Sequence, residues 1–275
     1  RSHVKVANNE ETDVNWYHFK IPIQTPTRTF GQIQNFQSIR FIRMFLRDFT
    51  QPVILRFAAL DLVKSDWRKY DQPLLENDLH VSAGAANPEF DISVVNIEEN
   101  GNRTPVRYVL PPGIERVTDP ADQNNRRMNE QSLSLTVLNL ADGDARGIYK
   151  TTNYDFRQFK KVEMYVHLEK VNEYDREMDG DVRLFIRVGS DFQDNYYEYE
   201  IPLSYTGWYE SARELVWPDV NKVEIDLEAM VAVKEHRNAA IRDGVPGILQ
   251  TVPYSEVVGK ARYTVKGTPA INSVK

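Results

Sequence analysis

The sequence predicts an all-β fold: tandem antiparallel β-sandwich modules that carry one short helix. Two observations point there. Apolar and polar residues alternate with period two over several segments, the pattern of a strand with one buried face. A unit of strand, turn and aromatic strand also recurs along the chain. A third observation narrows the class. The 275 residues hold 34 basic and 40 acidic side chains, net −6, with 41% apolar residues and no cysteine. That content suits folded modules with cores of their own. The missing cysteine excludes disulfides, thiolate zinc sites, iron–sulfur clusters and thiol nucleophiles. The acid excess speaks against a nucleic-acid binder. The longest unbroken apolar run, Ala229–Val233, is far too short to cross a bilayer as a helix or to form the core of a secretory leader.

The repeat is read from three segments: WYHFKIPI from Trp16, WRKYDQPL from Trp67 and YYEYEIPL from Tyr196. Each has an aromatic first and fourth residue, proline seventh and an aliphatic eighth. Proline cannot donate to a ladder, so it marks where each aromatic strand leaves its sheet. Upstream, FQSIRF from Phe36 aligns with FKKVEM from Phe159, and PVILRFAALD from Pro52 with DVRLFIRVGS from Asp181. INSVK from Ile271 reads as the head of another copy. The expectation is a window on a longer array. Residues 1–110 form a first, N-terminally incomplete module, 111–129 a linker, and 130–275 a second module that ends at the start of a further repeat.

Taken in order, Ile39–Leu46 is apolar on both faces and is expected as a central strand covered on both sides. Residues 111–129 are rich in Pro, Gly, Asn and Asp, hence the linker. Leu133, Leu135 and Val137 face one way, with Ser132, Ser134 and Thr136 on the other. Val162, Met164, Val166 and Leu168 alternate with Glu163, Tyr165, His167 and Glu169. Asp179-Gly180 supplies a hairpin turn, since glycine tolerates positive φ. Leu184, Ile186 and Val188 then alternate with Arg183 and Arg187. In the aromatic strand, Glu198 and Glu200 lie opposite Tyr197 and Tyr199, and they read as charged decoration on a sheet edge. One helix is expected near 226–241. Asp226 is its N-cap, Leu227, Met230 and Val231 its apolar face, Arg237 and Arg242 lie near its end, and Gly244 is the residue after its C-cap.

The chemistry-bearing residues are sparse. Histidines 3, 18, 80, 167 and 236 are isolated in sequence, and His167 reads as a solvated residue on the polar face of a strand. There is no G-x-S-x-G elbow and no phosphate-binding G-x-x-x-x-G-K-[ST] loop. Asp175, Asp179 and Asp181 place oxygen ligands at intervals that suit a weak Ca²⁺ site, although a solvated turn is the plainer reading. A glycosidase pair of carboxylates is not fixed by any spacing, because 40 acidic residues guarantee chance pairs. Trp208, Tyr209 and Trp217 are candidates for stacking on a sugar or a partner. They support the rival reading of a cell-surface carbohydrate-binding module. No catalytic residue and no cofactor site is assigned, and no enzyme activity is expected. Charges on both strand faces, such as Arg183 with Arg187 and Glu163 with Glu169, also argue against a lipid-facing barrel wall. A mid-bilayer Arg costs roughly 2–4 kcal/mol there.

Four stretches together resemble a known family: FQSIRFIRMFLRDFTQPVILRFAALDLVKSDWRKY, SVVNIEENGNRTPVRYVLPPGIERV, DVRLFIRVGSDFQDNYYEYEIPL and VWPDVNKVEIDLEAM. The chain is similar over roughly Trp16 to Lys275 to the SprA family of gliding-motility and secretion proteins, called Sov in some bacteria. NIEENGNRTPVRYVLPPGIER and NYYEYEIPL are the most specific parts. The resemblance implies the outer-membrane translocon of the type IX secretion system in Bacteroidota, a β-barrel pore that exports folded cargo bearing a C-terminal signal. It also implies partners: a plug protein, a peptidyl-prolyl isomerase-like subunit and a shuttle protein. On this reading the chain is a water-soluble part of that protein, on the periplasmic or extracellular face of the outer membrane. It braces or lines the pore, and the remainder of the full-length chain makes the membrane contact. The modules are expected to be jelly-roll sandwiches similar to galactose-binding-like domains.

Overall fold

The structure, a computed structural model, describes residues 2–5, 11–14, 16, 17, 19, 21, 28, 30, 42–58, 67–70, 88–118, 127, 128, 130–152 and 154–269. The chain divides into two compact units, residues 1–62 and 63–275. In the first, β1 (Ser2–Lys5) and β2 (Glu11–Val14) form an antiparallel hairpin in which Ser2 pairs with Val14 and Lys5 with Glu11. Residues 42–49 take no regular structure, and Ile42, Met44, Phe45 and Leu46 are exposed. This corrects the expected central strand over its described part; residues 39–41 lie outside the described residues. A doubly covered strand needs a ladder partner and a layer on each face, and no described strand pairs with this segment.

The second unit is all-β in antiparallel sheets with few helices. Its elements are β3 (Arg68–Tyr70), β4 (Glu89–Asn96), α1 (Ile97–Asn100), β5 (Gln131–Leu138), β6 (Gly147–Tyr149), β7 (Lys161–Met164), β8 (Arg183–Gly189), β9 (Tyr196–Pro202), α2 (Arg213–Val216), β10 (Val223–Asp226), α3 (Leu227–Arg242), β11 (Tyr254–Val258) and β12 (Ala261–Lys266). The main sheet runs in the order β11-β12-β9-β8, while β10-β7, β3-β6 and β4-β5 form two-stranded sheets. Both β3–β6 and β4–β5 join residues from either side of 111–129. That segment is therefore a long connection inside the unit rather than a break between modules.

The core lies between one face of the main sheet and a layer made by α3, β10 and β7. Tyr197, Tyr199 and Ile201 of β9 and Ala261, Tyr263 and Val265 of β12 point inward, against Val223, Ile225, Leu227, Met230 and Val233. Leu184, Ile186, Val162, Val166 and Leu168 close the sides. Burying side chains of this size stabilises the fold by about 1.5–3 kcal/mol each. The two core tyrosines stay satisfied at the layer boundary: the Tyr199 hydroxyl accepts from the Glu224 backbone N–H, and Tyr263 from that of Asp226. Pro202 ends β9, as the repeat predicts; the equivalent prolines, Pro22 and Pro73, lie outside the described residues.

The helix starts where the sequence places it. Asp226 Oδ1 accepts from the backbone N–H groups of Glu228 and Ala229. Its end is a Schellman motif. Gly244, at φ 74°, donates to Ile241 O, and Val245 donates to Ala240 O. The buried stripe is Leu227, Met230, Val233 and Arg237. Val231, expected on that stripe, is 37% exposed. Arg237 is not a surface charge near the helix end: it is fully buried and donates to Gly267 O beyond β12.

Candidate functional site

β4 and β5 pair in full register, Glu89 with Leu138 through Asn96 with Gln131. Directly opposed residues share a face, so Phe90–Val137, Ile92–Leu135 and Val94–Leu133 form one apolar ladder of six side chains. On the serine-rich face the Ser132–Val95 end is turned inward, while Asp91 and Thr136 at the other end are exposed. Ser132 Oγ lies 2.7 Å from the buried Tyr108 hydroxyl, which also donates to Glu130. Val95, on that inner face, packs on a second core of Val106, Tyr108, Val216 and Trp217. Half of the apolar ladder is open to solvent: Val94, Leu133 and Leu135 are 45%, 38% and 43% exposed, while Phe90, Ile92 and Val137 are half-buried. Alternation in the sequence predicts two faces but not which one is covered. Lys69 flanks the ladder, donating to Phe90 O with its ammonium 5.5 Å from the Phe90 ring.

The second core binds the segment after α1 to α2 and the residues beyond β7. Trp217 Nε1 donates to Val109 O at 2.8 Å, and Tyr209 N donates to Pro105 O. Arg103 donates to Val106 O and pairs with Glu169. His167 closes this seam, which corrects its reading as a solvated residue. Residues 165–170 beyond β7 are all half-buried, and the ring packs edge-on to Trp217, with centroids 5.9 Å apart. His167 Nδ1 lies 2.8 Å from Val216 O and 3.0 Å from Thr206 Oγ1, and Nε2 lies 3.2 Å from Glu169 Oε2. Burial, with the nearby Arg103 charge, pulls its pKa below the ordinary value against the hydrogen bond to Val216. Hydroxyl, imidazole and carboxylate stand in a row, as in a nucleophile relay. Here Thr206 is 4% exposed and the same ring nitrogen faces a carbonyl, so the row bonds chain segments together and presents no nucleophile to a substrate.

The main sheet's other face carries a charge ladder. Glu200 pairs with Arg183 and Arg262, and Glu198 with Arg187, whose guanidinium lies 4.2 Å from the Tyr196 ring centroid. Glu198 and Glu200 are 2% and 6% exposed. They are not edge decoration, because β8 and β12 flank β9 on both sides.

The three aspartates proposed for Ca²⁺ each serve the backbone. Asp175 Oδ2 accepts from Asn172 N, Asp179 Oδ1 from Tyr205 N, and Asp181 Oδ2 from Met178 N. Among the described residues no three His, Asp or Glu side chains are placed together to hold a metal ion. Trp208 is half-buried with its Nε1 unpartnered, Tyr209 is 71% exposed at φ 66°, and Trp217 is a core residue. An open groove of about 680 Å³ runs beside α3, lined by Phe156, Phe159, Tyr197, Val231, Lys234 and Pro269. No described helix is long and apolar enough to cross a membrane.

A family model described as motility related/secretion protein, SprA N-terminal, matches residues 1–275. No curated protein matches the chain.

Proposed function

The chain belongs to the SprA N-terminal family of motility-related and secretion proteins, and from that premise we propose that it is a non-enzymatic docking region of the type IX export channel at the bacterial outer membrane. Its modules brace or line the pore and offer surfaces to the plug, isomerase-like and shuttle subunits or to cargo bearing the C-terminal signal. The observation that carries this reading is the half-exposed apolar ladder of β4 and β5. Aliphatic and aromatic side chains in contiguous rows on a surface are characteristic of a protein contact. Most buried polar groups among the described residues of the unit, Trp208 Nε1 excepted, are spent on its own hydrogen bonds, which fits a scaffold better than a catalyst.

The test is the double variant Leu133→Asp with Leu135→Asp in the full-length protein. Both side chains point outward, so the variant should insert and fold while losing most export of signal-bearing cargo in a secretion assay. Normal export by stably inserted variant protein would sink the reading.

A further inference from the structure

The two-stranded β4–β5 sheet has two long edges, and they differ. In an antiparallel ladder, opposed pairs alternate between those that exchange both backbone bonds and those whose N–H and C=O point to the two edges. Phe90 O accepts from Lys69, and Asn96 N donates to Asn100 Oδ1, both outside the ladder. Phe90, Ile92, Val94 and Asn96 are therefore the edge-facing set of β4, and their partners Val137, Leu135, Leu133 and Gln131 that of β5. The edge of β4 is thus occupied at both ends by side chains. Among the described residues, neither a strand nor a side chain bonds to the outer edge of β5. Native sheets guard such edges with charge, proline or a bulge. Residues Gln131–Leu138 have no charge and no proline, and their register is unbroken. Among the described strands only the three-residue β6 shares this lack of charge.

We propose that β5 is an acceptor edge, to which an extended segment of a partner protein with apolar residues at alternate positions adds antiparallel as a third strand. This rests on the reading of the β4–β5 ladder as a docking surface and supplies its mode. Every strand pair among the described residues is antiparallel. In that orientation, residues opposite Leu133, Leu135 and Val137 direct their N–H and C=O to β5 and their side chains to the apolar face. One set of partner residues thus makes the backbone bonds and widens the apolar rows. The eight-residue edge is a strip about 27 Å long and about 10 Å thick. That is far less than the roughly 800 Å² a side that stable dimers bury, so the edge suits a linear segment rather than a second copy of the unit.

The probe is a fluorescein-labelled peptide of Thr-Val repeats, eight residues between terminal lysines, titrated against the full chain by anisotropy. With the valines on the apolar face, methylating the valine amides removes the donors that face β5, while methylating the threonine amides leaves them. The valine-methylated peptide should bind at least about tenfold more weakly than the unmodified one, and the threonine-methylated peptide should bind as the unmodified one does. Bound peptide should slow amide exchange at Leu133, Leu135 and Val137 and leave Ile92 and Val94 unchanged. No binding by the unmodified peptide, undiminished binding by the valine-methylated one, loss on threonine methylation, or protection on β4 instead overturns the proposal. So does a dimer of the free chain in which the β5 edge amides are already protected. If export depends on Leu133 and Leu135 while the peptides are not distinguished, the docking surface stands and strand addition falls.

Discussion

Glu198 is the most consequential single charge in the main sheet. Its carboxylate is almost fully enclosed and paired with Arg187, which lies against the Phe185 and Tyr196 rings. Removing one partner of a buried pair leaves the other charge desolvated, at a cost of about 3–5 kcal/mol. Glu198→Ala should therefore lower stability by about that amount in a denaturant titration. Charge decoration exposed on an edge would give well under 1 kcal/mol, so the measurement separates the two readings. The sequence shows the alternation of glutamate and tyrosine but not what stands on either side. The arginines that enclose these carboxylates come from β8 and from β12, some sixty residues downstream at Arg262. His167 was illegible for a related reason. Its neighbours in the chain place it on a polar face, and only Trp217 and segment 100–109, packed from elsewhere, make that face interior.

At the scale of elements, the sequence is legible where local physics decides. Helix α3 shows this: its cap, its closing glycine and much of its buried stripe follow from propensity and period. Asp226→Ala removes the acceptor for two backbone N–H groups and should cost about 1 kcal/mol, seen as a reduced unfolding midpoint. Asp226→Ser, which keeps a capping oxygen, should recover most of it. Gly267 marks a tighter constraint near the end of β12. At φ 66° it is left-handed, and a Cβ there would lie 2.0 Å from Asp194 O. Where pairing partners are remote, the local signal misled. The Leu133 stripe of β5 has the look of a core face, yet Leu133 and Leu135 are exposed and it is Ser132, beside Tyr108 and Val95, that faces the second core. The Ile39–Leu46 stripe likewise carries no information about whether covering layers exist.

At the scale of the molecule, the all-β class was legible from alternation, while the division into modules was not. A boundary near 130 follows from composition, but strand pairing across 111–129 depends on contacts between distant segments, which composition does not encode. This has a measurable outcome. A chain trimmed to residues 130–275 loses Val106 and Tyr108 from the second core, together with the carbonyl that accepts from Trp217 Nε1. Its thermal midpoint should fall relative to the full chain, and, with Trp16, Trp67 and Trp208 replaced by Phe in both so that only Trp217 emits, its tryptophan emission should shift to the red. An unshifted spectrum and midpoint would restore the boundary at 130. The same pairing bears on how such a chain can vary. The ends of the connection between β4 and β5 are held side by side by an eight-residue ladder, so its length is set by neither end. Chain-closure entropy grows only logarithmically, by about 0.6 kcal/mol for each doubling. Residues 97–116 of that connection are tied down by the second core and by the hydrogen bonds of Arg116, so the part between 118 and 127 is where this protein should gain or lose residues, or accept a reporter peptide, with little disturbance to the rest.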